Sequence, residues 1–180
     1  VEPRRRRIDQ ATDPAYIADI EGLSLNELRE RRAMLDELDT ELSYYRRMLH
    51  GRMDLLAFEL RRRSGEETRT LIEALPQILA SAVGGTHRSP IPKELPLVPP
   101  DGGDEERHPV DVILQDDFLA HLPNFEDDDL IAIQARLTDA ERVVSQERRQ
   151  LYDVYDVVSA ELTRRYKEGL ADAGDLLERR

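Results

Sequence analysis

Between residues 39 and 54 the chain places Asp39, Ser43, Arg46, His50 and Asp54 at steps of four, three, four and four. Carboxylates accept hydrogen bonds, a guanidinium donates in a planar fork to paired acceptors or to phosphate, and a serine hydroxyl does both. Together the five suit a polar, partly anionic ligand. On an α-helix, at about 100° and 1.5 Å per residue, they fall within an arc of roughly 80° and form one polar stripe about 22 Å long.

The set recurs. Glu141, Ser145, Arg148, Tyr152 and Asp156 keep the same steps 102 residues further on, where Arg149 matches Arg47, Leu151 matches Leu49, and "ELTRR" from Glu161 matches "ELRRR" from Glu59. Heptad sequences share leucines cheaply, but packing demands neither the serine, the arginine nor the aspartate of the repeat. An antiparallel pairing centred stripe on stripe sets Arg46 and Arg47 against Arg149 and Arg148, Asp39 against Asp156, and Asp54 against Glu141. Like charge then faces like, a conflict expected where function overrides stability. A ligand that relieves it is anionic near the arginines and donates hydrogen bonds to the acids. Guanine has that character: arginine reads its O6 and N7 bidentately, its N–H edge suits Asp54 or Asp156, and its phosphates suit serine and the remaining arginines. A two-fold symmetric ligand matches the pseudo-two-fold axis of an antiparallel repeat, which points to cyclic di-GMP. There is no GxxxxGK[ST] loop to hold a triphosphate.

The two copies resemble the motif of the RsiG anti-sigma factors, E-x3-S-x2-R-x3-Q-x3-D. His50 and Tyr152 stand where that family has glutamine, and Asp39 where it has glutamate; each replacement keeps a hydrogen-bonding group. The resemblance implies an antiparallel coiled coil whose ten motif residues bind a dimer of cyclic di-GMP. So loaded, it would sequester a sigma factor of the WhiG type and inhibit transcription initiation.

The elements that must position these residues are two long helices. Residues 24–64 open with Ser24 and Glu27 in capping-box spacing and carry Leu28, Leu35, Leu42, Leu49 and Leu56 every seventh residue, a seam widened by Leu38, Tyr45, Met53 and Leu60. Gly51 is its weak point. The second helix is expected over residues 124–169, starting near Asn124 or Phe125, with acids at its positive end and a seam of Leu130, Leu137, Val144, Leu151 and Val158. Before the first helix, residues 1–22 read as a basic tail, "RRRR", followed by one short helix with Asp13 as N-cap, Pro14 at its first position and Gly22 beyond its end. Residues 65–123 read as a linker: a short amphipathic helix interrupted by Pro76, then "RSPIPKELPLVPPDGGDEERHP", whose prolines exclude regular structure. "VDVILQDDFLAHLP" is apolar enough to dock, with no location indicated. Residues 170–180 form a tail. The fold class is all-α, an antiparallel two-helix coiled coil with a long Pro/Gly-rich, largely disordered linker.

Composition narrows the function. The 180 residues are 39% hydrophobic and 36% charged, with no tryptophan and no cysteine, which favours long, partly exposed helices over a thick core and excludes a disulfide framework or thiolate metal site. A net charge of −12 argues against direct nucleic-acid binding, which draws on clustered cations, and favours a basic protein partner. No apolar run reaches the length of a membrane span, so a soluble, cytoplasmic protein is expected. His50 and Asp54 alone are thin for zinc, and the serines lack a base and orienting group, so neither a metal site nor an enzyme is expected. His87, His108 and His121 read as exposed linker residues. A ligand-free acidic coiled-coil adaptor remains open as the alternative function, as does self-association through the stripe.

Overall fold

A computed structural model describes residues 6–83, 108–114 and 118–169. Its elements are α1 (Arg7–Ala11), 3-10 turns at Pro14–Tyr16 and Ile20–Gly22, α2 (Leu25–Arg63), α3 (Leu71–Val83), α4 (Pro109–Leu114), α5 (Phe118–His121), a third 3-10 turn at Leu122–Asn124, and α6 (Asp127–Lys167). The described residues contain no strand, and the chain is all-α.

The expected seams are the core. Leu28, Leu35, Leu42, Leu49 and Leu56 of α2 and Leu130, Leu137, Val144, Leu151 and Val158 of α6 are all buried. Burying a leucine or valine side chain stabilises by about 1.5–3 kcal/mol, so these positions dominate the energetics of both helices. The helix ends follow local chemistry. Ser24 and Glu27 form the expected capping box, with the Ser24 N–H donating to Glu27 Oε2 at 2.7 Å and the Glu27 N–H to Ser24 Oγ at 3.2 Å. Beyond Arg63, Gly65 adopts φ +80°. The Glu66 N–H then donates to the Arg61 carbonyl and the Gly65 N–H to the Arg62 carbonyl, the pairing of a Schellman stop that favours glycine. α6 begins at Asp127, two to three residues later than expected, because a 3-10 turn occupies Leu122–Asn124.

The chain divides into two compact units. The first comprises the described residues of Val1–Thr40 and Glu147–Arg180. In it α2 and α6 run antiparallel: Arg29 donates to the Tyr166 hydroxyl at 3.0 Å, Arg32 to Ser159 Oγ at 2.9 Å, and Arg148 to Asp39 Oδ1 at 3.2 Å. The N-terminal segment departs from expectation. Part of the basic block is ordered as α1, with Ile8 and Ala11 buried, Arg6 paired with Asp9 and Glu147, and Arg7 paired with Glu37. The single helix expected after Asp13 is two 3-10 turns. Asp13 does cap the first, accepting from the Ala15 N–H at 2.9 Å. Near the end of α6, buried Glu161 accepts from Arg164 and Arg165, which push its pKa down to about 2.

The second unit spans the described residues of Glu41–Gln146. Its parts of α2 and α6 are also antiparallel, linked by Arg46 to Glu141 and by Arg63 to Asp127 at 2.7 Å. Glu59 repeats the Glu161 arrangement 102 residues earlier, accepting from Arg62 and Arg63 at 2.8 Å. Helix α3 continues through Pro76 where an interruption was expected; Thr70 and Glu73 start it with a second capping box. The segment with no location indicated by sequence docks here as α4 and α5. Arg52 donates to the Ile113 carbonyl at 2.6 Å and to the Leu114 carbonyl, satisfying the exposed end of α4, and its guanidinium lies over the buried Phe118 ring. His108 is buried, contrary to expectation, packed on the Tyr45 ring at 4.8 Å, with Nδ1 accepting from the Val110 N–H. The Tyr45 hydroxyl donates to Asp111, and burial together with Glu41 and Asp111 pushes its pKa up. Residues 88–107 of the Pro-rich linker and the C-terminal tail lie outside the described residues, as does His87; His121 is exposed.

Gly51 sits inside α2 with no atom within 4 Å of the position a Cβ would take. Gly51→Ala is therefore expected to stabilise the protein by about 1 kcal/mol, raising the melting temperature by about 3 °C. Calorimetry of the two proteins measures this, and an unchanged or lower transition would contradict it.

Candidate ligand site

Each unit brings one acid of the repeated motif onto the arginine of the other copy. In the first unit, Asp39 of α2 is buried at 2% exposure and accepts from Arg148 Nε of α6 at 3.2 Å. Arg148 Nη2 donates to the Tyr152 hydroxyl, and the guanidinium lies 5.0 Å from the Tyr152 ring centre. In the second unit, Glu141 of α6 accepts from Arg46 Nε at 3.3 Å, shares a 3.2 Å contact with His50 Nε2, and accepts from Ser145 Oγ at 2.7 Å. Burial pushes the Glu141 pKa up, but the hydrogen bonds from Ser145, His50 and Arg46 outweigh it, and the net shift is downward.

This corrects the charge register inferred from sequence. Asp39 meets Arg148 rather than Asp156, and Glu141 meets Arg46 rather than Asp54. His50 contacts Glu141 rather than forming the intrahelical pair with Asp54 that a solvated helix flank would offer. Centring the stripes treated each residue as a point on its helix axis. Register is instead set by the buried seam, and long guanidinium arms find acids at another level. The equivalence of the two copies survives: the same motif positions, acid and arginine, meet in both units.

Angular position explains which motif residues are engaged. In the second unit, counting from Arg46 at about 100° per residue, Leu49 lies at roughly −60°, His50 at +40°, Asp54 at +80° and Arg47 at +100°. In the first unit Leu151, Tyr152, Asp156 and Arg149 take the same angles from Arg148. Each helix therefore passes from seam, to a paired edge of arginine and His or Tyr, to an outer edge of Asp and a second arginine. Asp54 and Asp156 are exposed and have no hydrogen-bond or ionic partner among the described residues. Ser43, half-buried on the outer side of the second unit, also lacks one. Ser145 is engaged by Glu141.

Chemically, the acid holds each arginine by Nε and leaves its outer end available. Both Arg46 Nη groups and Arg148 Nη1 have no protein partner among the described residues. A guanidinium so oriented can present donors to a planar pair of acceptors or to a phosphate. The fixed ion pair removes rotamer freedom that a flexible arginine would lose on binding. The outer aspartate is available to accept N–H groups. Among the described residues no group of three His, Cys, Asp or Glu side chains is placed to hold a metal ion, and no helix is long and apolar enough to cross a membrane.

Antiparallel stretches of α2 and α6 that carry an acid-held arginine and an exposed aspartate thus recur in each unit of an all-α chain. Residues 14–79 match the model of the RsiG-like family, the family whose motif the two copies resemble. The match takes in α2 with the first motif copy; the second copy, on α6, lies outside it. It supports a regulatory role of the anti-sigma-factor type, with a sigma factor as the kind of partner. No curated protein matches the chain.

Glu141 makes the second-unit cluster acid-sensitive. A carboxyl with a lower pKa folded than unfolded binds fewer protons when folded, so its contribution is complete above an unfolded pKa of about 4.3 and is lost as pH falls through the lowered folded value. Melting followed from pH 6 down to pH 2.5 is expected to show a loss of stability that is smaller in Glu141→Gln. Identical pH profiles for the two proteins would contradict the assigned ion-pair geometry.

Proposed function

We propose that the chain is an anti-sigma factor that binds cyclic di-GMP through its two motif copies and, when loaded, sequesters a sigma factor of the WhiG type, inhibiting transcription initiation. One observation carries this reading: in each unit the motif acid holds the motif arginine by Nε and leaves it Nη donors with no protein partner among the described residues, and the helix with the first motif copy lies in the stretch that matches the RsiG-like family. Arg46 and Arg148 read guanine O6 and N7 through those donors. Asp54 and Asp156 accept from the N–H edge, Ser43 and Ser145 contribute hydroxyls, and His50 and Tyr152 stand in for the family glutamine. Asp39 and Glu141 act as positioning residues, each holding an arginine. The ligand is taken up as a dimer, as the resemblance implies. The chain's net charge of −12 suits a basic face of the sigma factor. Binding is reciprocal: if the ligand tightens sigma binding by some factor, sigma tightens ligand binding by the same factor.

A second reading has its own support. The acid–arginine pairs compensate both motif arginines internally, which suits an acidic coiled-coil adaptor that needs no small ligand. Thermal melting separates the two. Cyclic di-GMP at 100 times its dissociation constant stabilises a binding protein by about 2.7 kcal/mol, raising the transition by about 5–10 °C, whereas an adaptor shows no shift. Bidentate arginine–guanine contacts are each worth about 1–3 kcal/mol. The Arg46→Ala, Arg148→Ala double variant is therefore expected to lose at least about 30-fold in affinity by calorimetric titration. Unchanged affinity in that variant would remove the ligand assignment.

A further inference from the structure

Arg47 and Arg149 lie beside the motif and are not part of it. The described arginines are almost all engaged: with acids at Arg6, Arg7, Arg32, Arg46, Arg62, Arg63, Arg69, Arg142, Arg148, Arg164 and Arg165, and with carbonyl or hydroxyl oxygen at Arg29, Arg31 and Arg52. In a chain with 38 acids and 26 cations, an unengaged guanidinium is the exception. Arg47, Arg61, Arg136 and Arg149 have no hydrogen-bond or ionic partner among the described residues. Of these, only Arg47 and Arg149 are repeat equivalents, since Arg61 corresponds to Thr163 and Arg136 to Met34. Arg47 is half-buried and Arg149 exposed, and each stands seven residues before an exposed motif aspartate, Asp54 or Asp156, that likewise has no partner among the described residues. Seven residues bring arginine and aspartate to within about 20° of one face, about 10.5 Å apart along the axis.

We propose that Arg47 and Arg149 are additional ligand residues, each binding a phosphodiester of the nucleotide whose guanine N–H edge the aspartate on the same face accepts. The chemistry assigns them. Arg46, oriented by Glu141, and Arg148, oriented by Asp39, carry the planar readout of the base, while the outer arginines have no acid partner among the described residues and keep their full charge for an anion. The Arg-x6-Asp line thus presents a cation and an anion together, matching a ligand with an anionic backbone and a base edge of N–H donors. The local positive charge is left unneutralised at the equivalent place in both units.

This inference rests on the cyclic di-GMP reading, and calorimetric titration with cyclic di-GMP at several salt concentrations separates the two. No binding to the wild-type chain overturns both. If the wild type binds, Arg47→Ala and Arg149→Ala are each expected to weaken binding at least tenfold and to flatten its salt dependence, while Arg47→Lys and Arg149→Lys recover part of the loss. Arg61→Ala, which removes an equally unengaged cation outside the repeat, is expected to leave affinity within twofold. Because neither outer arginine has a protein partner to lose, the melting temperature without ligand should stay within about 1 °C of wild type. Wild-type affinity in the Arg47→Ala, Arg149→Ala double variant would overturn the inference and leave the cyclic di-GMP reading standing. So would full ligand binding with loss only of sigma-factor capture, which would place these arginines on the protein partner.

Discussion

The heptad seam of α2 and α6 is the constraint from which the rest follows. A leucine or valine every seventh residue, buried in both helices, fixes how each helix is rotated about its axis, because turning it by even 60° would carry the seam into water at about 1.5–3 kcal/mol per side chain. Once rotation is fixed, the exposure of every polar position is fixed with it. Arg46 and Arg148 must lie on the flank of the seam, where they are half-buried and reach the neighbouring helix. Asp54 and Asp156 must lie further round, in solvent. The functional reading therefore depends on the leucines as much as on the motif.

The same constraint decides where the acids go. A half-buried guanidinium without a counter-charge is costly, and the flank position leaves Arg46 and Arg148 only partly hydrated. Asp39, almost fully buried, and Glu141 supply the missing charge by accepting at Nε. This geometry serves stability and, on the proposed reading, recognition as well. It compensates the arginine in the absence of any ligand, and it makes the contact through Nε rather than through the Nη end, the part of the fork able to make paired contacts. A pair formed through both Nη groups would have offset the charge equally well and blocked the readout.

Much of this was legible in the sequence, for reasons that are local. The seams follow from a period of seven, the start of α2 from Ser24 and Glu27, and the equivalence of the two copies from Ser, Arg and Asp at off-seam positions. What was not legible depends on which residues meet at a distance. The charge register failed because point positions on two helices say nothing about the reach of an arginine. His108 looked exposed because its neighbours are polar, although the ring against which it is buried, Tyr45, lies 63 residues away in sequence and has its rings at 4.8 Å. The basic N-terminus looked like a tail because α1 is only five residues long. Its order comes from Ile8, Ala11 and the pairs made by Arg6 and Arg7 with distant glutamates, none of which a local pattern contains.

The overall charge of the chain bears directly on the outer arginines. A chain of net −12 repels an anionic nucleotide at long range, and screening over about 8 Å at physiological ionic strength weakens that repulsion without reversing it. Binding such a ligand therefore requires cations that the protein has not neutralised with its own acids. The inner arginines do not meet that requirement, since each is paired with a carboxylate. Arg47 and Arg149 do, at matching positions in the repeat. An acidic exterior that suits a basic protein partner and an anionic small ligand are compatible in one chain only if cations are held back at the ligand's position. On the proposed reading, the duplicated Arg-Arg pairs would divide the work, one member oriented by an acid and the other left charged.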